Sequence, residues 1–493
     1  MHTSISSVHR GILLPALAAV LFAGSLWGQS AELSGRITDP SGEIINGAKV
    51  TLTQQATMLQ TGTQSNESGY YFFPRGQPGV YRLVISHQGF KAVERSGINM
   101  APADRRRVDV QLELGSVAET INVMADASQL QADSAEVSTT VTSREFAQLP
   151  QIQYNRMRSP ANFTYLSPGV HGNVATNGRE TVAASNNIRI NDSRSTSNEI
   201  YMDGMPGRTN FNETAPPVDA IGEFKLQANQ LSAEYGNTGS AVITFSVKSG
   251  TNNFHGLLSN IFRNEKLDAR SFLSPNRSTI RQNEFGGTFG GPVTIPKLYD
   301  GKNRTFFFFS YTGSRKRGLD QTQRLRVPSL AEREGDYSAN PRLIYDPATT
   351  RSNGTVYVRD PFAGNWIPAS RFDAAAAKVT SLLPSPNLSG AGLLNYTDSI
   401  GERLLDPNVY LVRLDHAFSE KHRVFCTYNH TYIPRQNQTA AMADPWSDRT
   451  LQNISSHMVR ANWLGRRAGP EERGGRRFPL LHLRRLLFSA GPQ

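Results

Sequence analysis

The segment Val409–Phe418 puts Tyr410, Val412, Leu414, His416 and Phe418 at even positions and Arg413 and Asp415 among the odd ones. A period of two belongs to an extended chain, whose successive side chains point to opposite faces. About ten such residues, apolar on one face and charged on the other, match one tilted crossing of a bilayer by a strand. Ser456–Leu464 repeats the pattern, with His457, Val459, Ala461 and Trp463 against Arg460 and Asn462. Residues 281–291 set Phe285, Gly287 and Phe289 against Gln282, Glu284 and Thr288. Residues 255–263 alternate poorly, and Phe306–Phe309 is apolar on both faces. Its inner-face phenylalanines would pack against whatever fills the interior.

Composition is compatible with such strands. The chain is 38% apolar, which leaves no helical span after the N-terminus, yet strands with one polar face need no more than this. The 41 glycines and 27 prolines favour turns and strands over long helices. A single cysteine, Cys426, excludes an internal disulfide framework. Much of the net charge of +11 sits in residues 465–493, where seven arginines face only Glu471 and Glu472. No basic stripe with interleaved aromatics occurs elsewhere, so nucleic acid is not an expected partner.

Connection lengths give a second line of argument. Residues 314–407 separate two expected strands, the next pair is joined only by Ser419-Glu420-Lys421, and 433–455 follow. Outer-membrane barrels have short periplasmic turns and long outer loops. A first strand rising from the periplasm puts 264–280, 314–407 and 433–455 outside, with 292–303 and 419–421 inside.

The remaining segments read in chain order. Residues 1–30 are expected to be a signal peptide, with His9 and Arg10 ahead of an apolar run from Gly11 to Trp27 and cleavage between 28 and 31. Residues 31–115 hold short alternating strands (33–38, 48–53, 70–73, 81–87 and 107–114) cut by Asp39-Pro40-Ser41-Gly42, Asn66-Glu67-Ser68-Gly69 and Gln77-Pro78-Gly79. That spacing predicts a compact antiparallel sandwich. In 116–250 a Val/Thr strand at 117–124 and a polar stretch precede Ser143, an expected helix N-cap, with the helix ending near Pro150. Strands follow at 189–191, 199–202, 221–226 and 240–249, and Asp203-Gly204 marks a tight turn.

These residues carry resemblances. Ser34–Asp39, Gly47–Val50, Asn66–Tyr71, Pro78–Tyr81 and Gly89-Phe90 resemble the carboxypeptidase regulatory-like domain, a prealbumin-type sandwich with a carbohydrate-binding-like fold and, in this setting, no peptidase activity. Leu166–Val170, Tyr201–Gly204, Ala233–Gly236 and above all Lys248–Gly256 resemble the plug domain of TonB-dependent receptors. Phe285–Pro292, Thr305–Phe309, Val327–Ser329, Gly335–Ser338 and Ile367–Arg371 look like early strands of the Oar-like branch of that family. The expected fold is mainly β: a sandwich at 31–115, an α+β plug at 116–250, and at 251–464 the first, about six, antiparallel strands of a transmembrane barrel. The resemblance implies residence in the cell outer membrane, the inner-membrane TonB complex as energising partner, and an extracellular ligand among siderophores, glycans and peptides. No energy-coupling segment stands out between 116 and 135.

No motif for catalysis, a cofactor or a metal is present. His422, Cys426 and His430 share a strand face, but eight residues at about 3.3 Å each set the two histidines roughly 26 Å apart. Asp203 and Asp415 have no catalytic partner at readable spacing. An enzyme is not expected, and ligand-contacting residues stay unassigned. Residues 465–493, rich in Arg, Gly, Pro and Leu, read as a shifted reading frame or a basic arm. The expectation is that the chain as written cannot transport, because about six strands leave an open edge in lipid. A rival reading is an exported carbohydrate- or protein-binding β module.

Overall fold

The computed structural model describes residues 31–465 apart from 116–119, 125–137, 143–144, 146–147, 150–156, 173–187, 195–196, 208–215, 229–230, 232–234, 237, 271–276, 278–279, 319–320, 389–393, 421 and 439–449. The expected signal peptide and the basic tail lie outside the described residues.

The first part is a two-sheet sandwich. One sheet joins β1 (Ala31–Thr38) with β4 (Tyr70–Gly76), β7 (Arg105–Arg107) and β8 (Val110–Gln111). The other runs in the order β3 (Gln60–Gln64), β2 (Lys49–Gln54), β5 (Gly79–Ser86), β6 (Ala92–Met100) and β9 (Thr120–Met124). Every second residue of β1 is buried, as a strand with one core face requires. The core gathers Leu33, Ile37, Val50, Leu52, Tyr71, Leu83, Ile85 and Ile98. Tyr71 Oη donates to the Val108 carbonyl at 2.6 Å, so the buried hydroxyl is satisfied. Gly35 is needed where β1 meets that same carbonyl, which a Cβ would reach at 2.0 Å. The alternation revealed β1, β2, β4 and β5 but not β3 or β6, whose polar residues (Gln60–Gln64 and Glu94–Gly97) hide the period. The sheet also takes β9 from beyond residue 115, in parallel with β6. With so self-contained a core, residues 31–115 expressed alone are expected to melt cooperatively; a gradual trace by circular dichroism would show that they need the rest of the chain.

The middle part is built on a five-stranded sheet, order β10 (Ser138–Thr142), β15 (Ile221–Ala228), β16 (Ala241–Val247), β13 (Glu199–Met202), β14 (Met205–Gly207). A small pair, β11 (Val170–His171) and β12 (Arg189–Ile190), lies beside it. All seven residues of β16 are buried, so it is the central strand. The helix expected to start at Ser143 lies largely outside the described residues. Its entry is visible one residue earlier: the Glu145 carboxylate accepts the Thr142 N–H at 2.7 Å, and Thr142 Oγ1 accepts the Glu145 N–H at 3.5 Å.

The third part is a wall of long antiparallel strands. β17 (His255–Asn264), β18 (Ile280–Pro292), β21 (Thr305–Gly318), β26 (Asn408–Ala417), β27 (His422–Gln438) and β28 (Thr450–Gly465) pair in sequence order. The turn after β18 holds the short hairpin β19 (Thr294–Ile295) and β20 (Tyr299–Asp300). The expected parity holds: Val409, Leu411, Arg413 and Asp415 are buried toward the middle part, while Tyr410 and Leu414 face away.

The segment expected as one connection, 314–407, is shorter than it reads. β21 runs on to Gly318, β22 (Gln321–Leu325) continues its line, and β25 (Tyr396–Leu405) leads through Asp406-Pro407 into β26. Only 326–395 form the loop, capped by a two-stranded pair, β23 (Arg351–Ser352) and β24 (Tyr357–Val358), and short helices. Ser314-Arg315-Lys316-Arg317 is polar throughout, so backbone pairing continues where the alternation of apolar residues stops. Pro434 sits in β27 opposite the break at 406–407, where the ladder passes from β26 to β25 and no N–H is needed; its carbonyl accepts from Asp406. Strands of 13 to 17 residues exceed the roughly 9–11 that cross hydrocarbon, so their upper ends project beyond it.

Candidate functional site

Two charge clusters tie the middle part to the wall. The first is built on the Asp203-Gly204 turn between β13 and β14, with φ of +49° and +80°, a backbone that the short Asp side chain and Gly tolerate. Asp203 Oδ1 accepts the Val247 N–H at 2.9 Å and Arg413 Nη1 at 3.3 Å, and Oδ2 accepts the Thr427 hydroxyl at 3.1 Å. Arg413 Nη1 also donates to the Val247 carbonyl at 2.8 Å. Its Nε and Nη2 form a two-pronged pair with Asp415 at 2.9 and 2.8 Å. The guanidinium centre lies 4.5 Å from the Phe425 ring centroid. All three charged side chains are at least nine-tenths buried. Such a group survives burial only because each charge meets an opposite charge and its polar atoms are occupied.

The second cluster centres on Arg158. Its Nη1 and Nη2 reach Asp219 at 3.2 and 2.7 Å, while Nε and the backbone N–H reach Glu284 of β18 at 2.7 and 3.0 Å. Ser259 of β17 donates to Asp219 at 2.8 Å. Burial works against the Arg158 charge, but the two carboxylates outweigh it and hold the guanidinium more firmly protonated. Burial pulls the nearby Lys248 ammonium below its usual range, and that group donates to the Asp219 carbonyl at 2.9 Å.

Apolar contacts fill the space between. Phe308, fully buried on the inner face of β21, packs with Met202, Ala220 and Val247 of the middle part and Leu411 of β26. Met157 likewise meets Val409 and Ile433.

The sandwich closes the end of the wall that carries the 419–421 turn. Arg423 Nη2 donates to the Gln60 carbonyl and Thr61 Oγ1, both at 3.0 Å, and Asn252 Nδ2 donates to the Thr57 carbonyl at 2.9 Å. A cavity of roughly 290 Å³ remains where the three parts meet, lined by Thr57, Gln77, Asp203, Glu223, Lys248 and Arg413.

Asp203 and Asp415, read singly in the sequence, are thus brought to one arginine. The usable signal was Arg413 beside Asp415 on the inward parity of a wall strand, since inward charge needs a partner. The partner itself, 210 positions away, carried no mark beyond its turn. His422, Cys426 and His430 are kept apart along β27: His422 stacks on Trp463, and His430 on Tyr410 and His457. Among the described residues no three metal-binding side chains converge.

Comparison with known proteins gives family matches over two stretches of the chain. Residues 246–464 match the outer membrane beta barrel domain, and residues 32–113 match the carboxypeptidase regulatory-like domain. The TonB-dependent transporter Oar of Myxococcus xanthus is 23% identical over 325 residues, 59% of this chain and 28% of that protein. A ferric enterobactin receptor from Pseudomonas aeruginosa is 13% identical, covering 67% of this chain and 47% of its own, with a TM-score of 0.31. The siderophore receptor PirA of the same organism gives 10% identity, 66% and 50% coverage, and a TM-score of 0.28. The chain therefore spans half or less of the length of these relatives. The barrel domain places it in the cell outer membrane.

Proposed function

We infer that the middle part is a plug and that this chain is the N-terminal portion of a TonB-dependent outer-membrane receptor for ligand uptake, unable to transport by itself as written. The outer membrane beta barrel and regulatory-like matches and the similarity to the transporter Oar support this. The ligand is bulky and extracellular, of the siderophore, glycan or peptide class, and the TonB complex supplies the energy. One observation carries this reading. The middle sheet is seated against the inner face of the barrel-domain strands by the Arg413–Asp203 and Arg158–Glu284 contacts, which involve no covalent bond. An ion-paired insert held in this way suits a gate opened by force better than a fixed scaffold.

The test labels the gate. With Cys426→Ser and Ser246→Cys, a cysteine stands on β16 beside the cavity. Periplasmic maleimide is expected to label it several-fold faster in energised cells than in cells lacking TonB or treated with a protonophore. Equal rates in all three would remove the uptake reading.

A further inference from the structure

We propose that the sandwich is a lock on the plug: it grips plug strand β15 through the buried Lys225–Asp104 pair and holds the chain leading to the plug by pairing β9 onto β6. Plug displacement then requires the sandwich to let go first. The proposal rests on the plug reading above and adds a regulatory part to it.

The grip is specific. Lys225 Nζ donates to Asp104 Oδ1 at 2.9 Å and to the Ala103 carbonyl at 3.3 Å, and both charged side chains are at most 2% exposed. The turn that offers these acceptors is preset. Asp104 Oδ2 accepts the Ala101 N–H at 2.9 Å, and Ala103 sits at φ +56°, a left-handed backbone that is unfavourable for a residue with a Cβ. Strain held at a contact points to a role for that contact. Glu223, two residues from Lys225 on β15, leaves Oε2 without a hydrogen bond. Burial, with the Asp104 charge beside it, pushes its carboxyl up to about 8.

The topology completes the lock. β9 is the edge of the sandwich sheet, and β10, the next described strand, is the edge of the plug sheet, paired with β15 from Ser138–Gln227 to Thr142–Glu223. A pull on the chain between them therefore loads both edges, while Lys225 pins β15 to the sandwich. The Arg423 and Asn252 contacts brace the sandwich against the wall.

The experiment uses the full chain in outer membranes with Cys426→Ser, Thr61→Cys and Arg423→Cys, positions that the length of the Arg423 side chain separates across the sandwich–wall contact. A short bis-methanethiosulfonate that spans this gap clamps the sandwich through two mixed disulfides; reduction removes it and frees the sandwich. In the unlinked form Lys225→Met is expected to speed amide exchange in β10 and β15 about tenfold or more, and crosslinking to reverse this. Unchanged exchange in Lys225→Met, or no effect of the clamp, would overturn the lock while leaving the uptake reading in place. Should Lys225→Met fail to fold, Asn252→Ala in the unlinked form takes its place, with faster exchange supporting the lock and an unchanged rate overturning it.

Discussion

Arg413→Met is expected to weaken the seating of the middle part against the wall by about 3–5 kcal/mol, because it leaves Asp203 and Asp415 buried without their counter-charge. Methionine keeps much of the side-chain volume, so the loss reports charge and hydrogen bonds more than packing. The amide of Val247 is the reporter, since it donates to Asp203 beside the arginine. Its exchange should accelerate by a factor on the order of 10² to 10³, taking 1.4 kcal/mol per tenfold. The regulatory-like domain meets the cluster through Gln77, whose Nε2 donates to Asp415 Oδ1 at 3.4 Å, so the amides of its own core strands should exchange nearly as before. Adding Asp203→Asn and Asp415→Asn should recover part of the loss, since a neutral cluster escapes the desolvation that an incomplete one suffers. Arg413→Lys should not substitute, because one ammonium cannot reach Asp415 with two prongs and Asp203 and the Val247 carbonyl as well. Acceleration below tenfold in Arg413→Met would mean that the cluster does not hold the middle part to the wall.

What the sequence disclosed follows from what periodicity can encode. Parity along β26 and β28 marked which side chains turn inward, because burial on one face imposes a period of two. The three-residue connection at 419–421 was equally plain. Periodicity cannot report a strand whose apolar residues keep no single parity, so β22, β25 (where Tyr396, Ile400 and Leu404 share their parity with Asp398 and Glu402) and the upper ends of β21 and β27 read as loop. Partners across domains left no local trace either. Lys225 sits in a plain strand, and its acceptor turn differs from other turns only in backbone angles that no composition reveals. Asp203 was legible as a turn residue while its tie to Arg413 was not. The fold was readable where hydrophobic burial wrote it, and the interfaces were not, because specific pairing between distant residues wrote those.

Phe308→Ala carries the other large effect, and its neighbour supplies the control. The run Thr305–Phe309 is apolar at every position after the first, so sequence alone cannot rank its phenylalanines. The register does: Phe306 and Phe308 turn inward and are buried, whereas Phe307 and Phe309 turn outward. Phe308 packs with Met202, Ala220 and Val247 of the middle part and with Leu411 of the wall. Truncation to alanine removes the ring and leaves a cavity between surfaces that strand pairing holds in place, at a cost of about 3–5 kcal/mol. Phe307 instead meets Phe254 and Phe289 on the outward face, with ring centroids 6.4 and 5.5 Å away. Its removal forfeits aromatic contact of about 1 kcal/mol and leaves lipid to fill the space. Urea titration of outer-membrane-embedded protein, followed through the exchange of the Phe245 and Val247 amides, should therefore show a large downward shift in midpoint for Phe308→Ala and a small one for Phe307→Ala. Equal shifts would mean that the inward face of β21 does not hold the plug, and the reversed order would mean that its register against β18 and β26 is displaced by one residue.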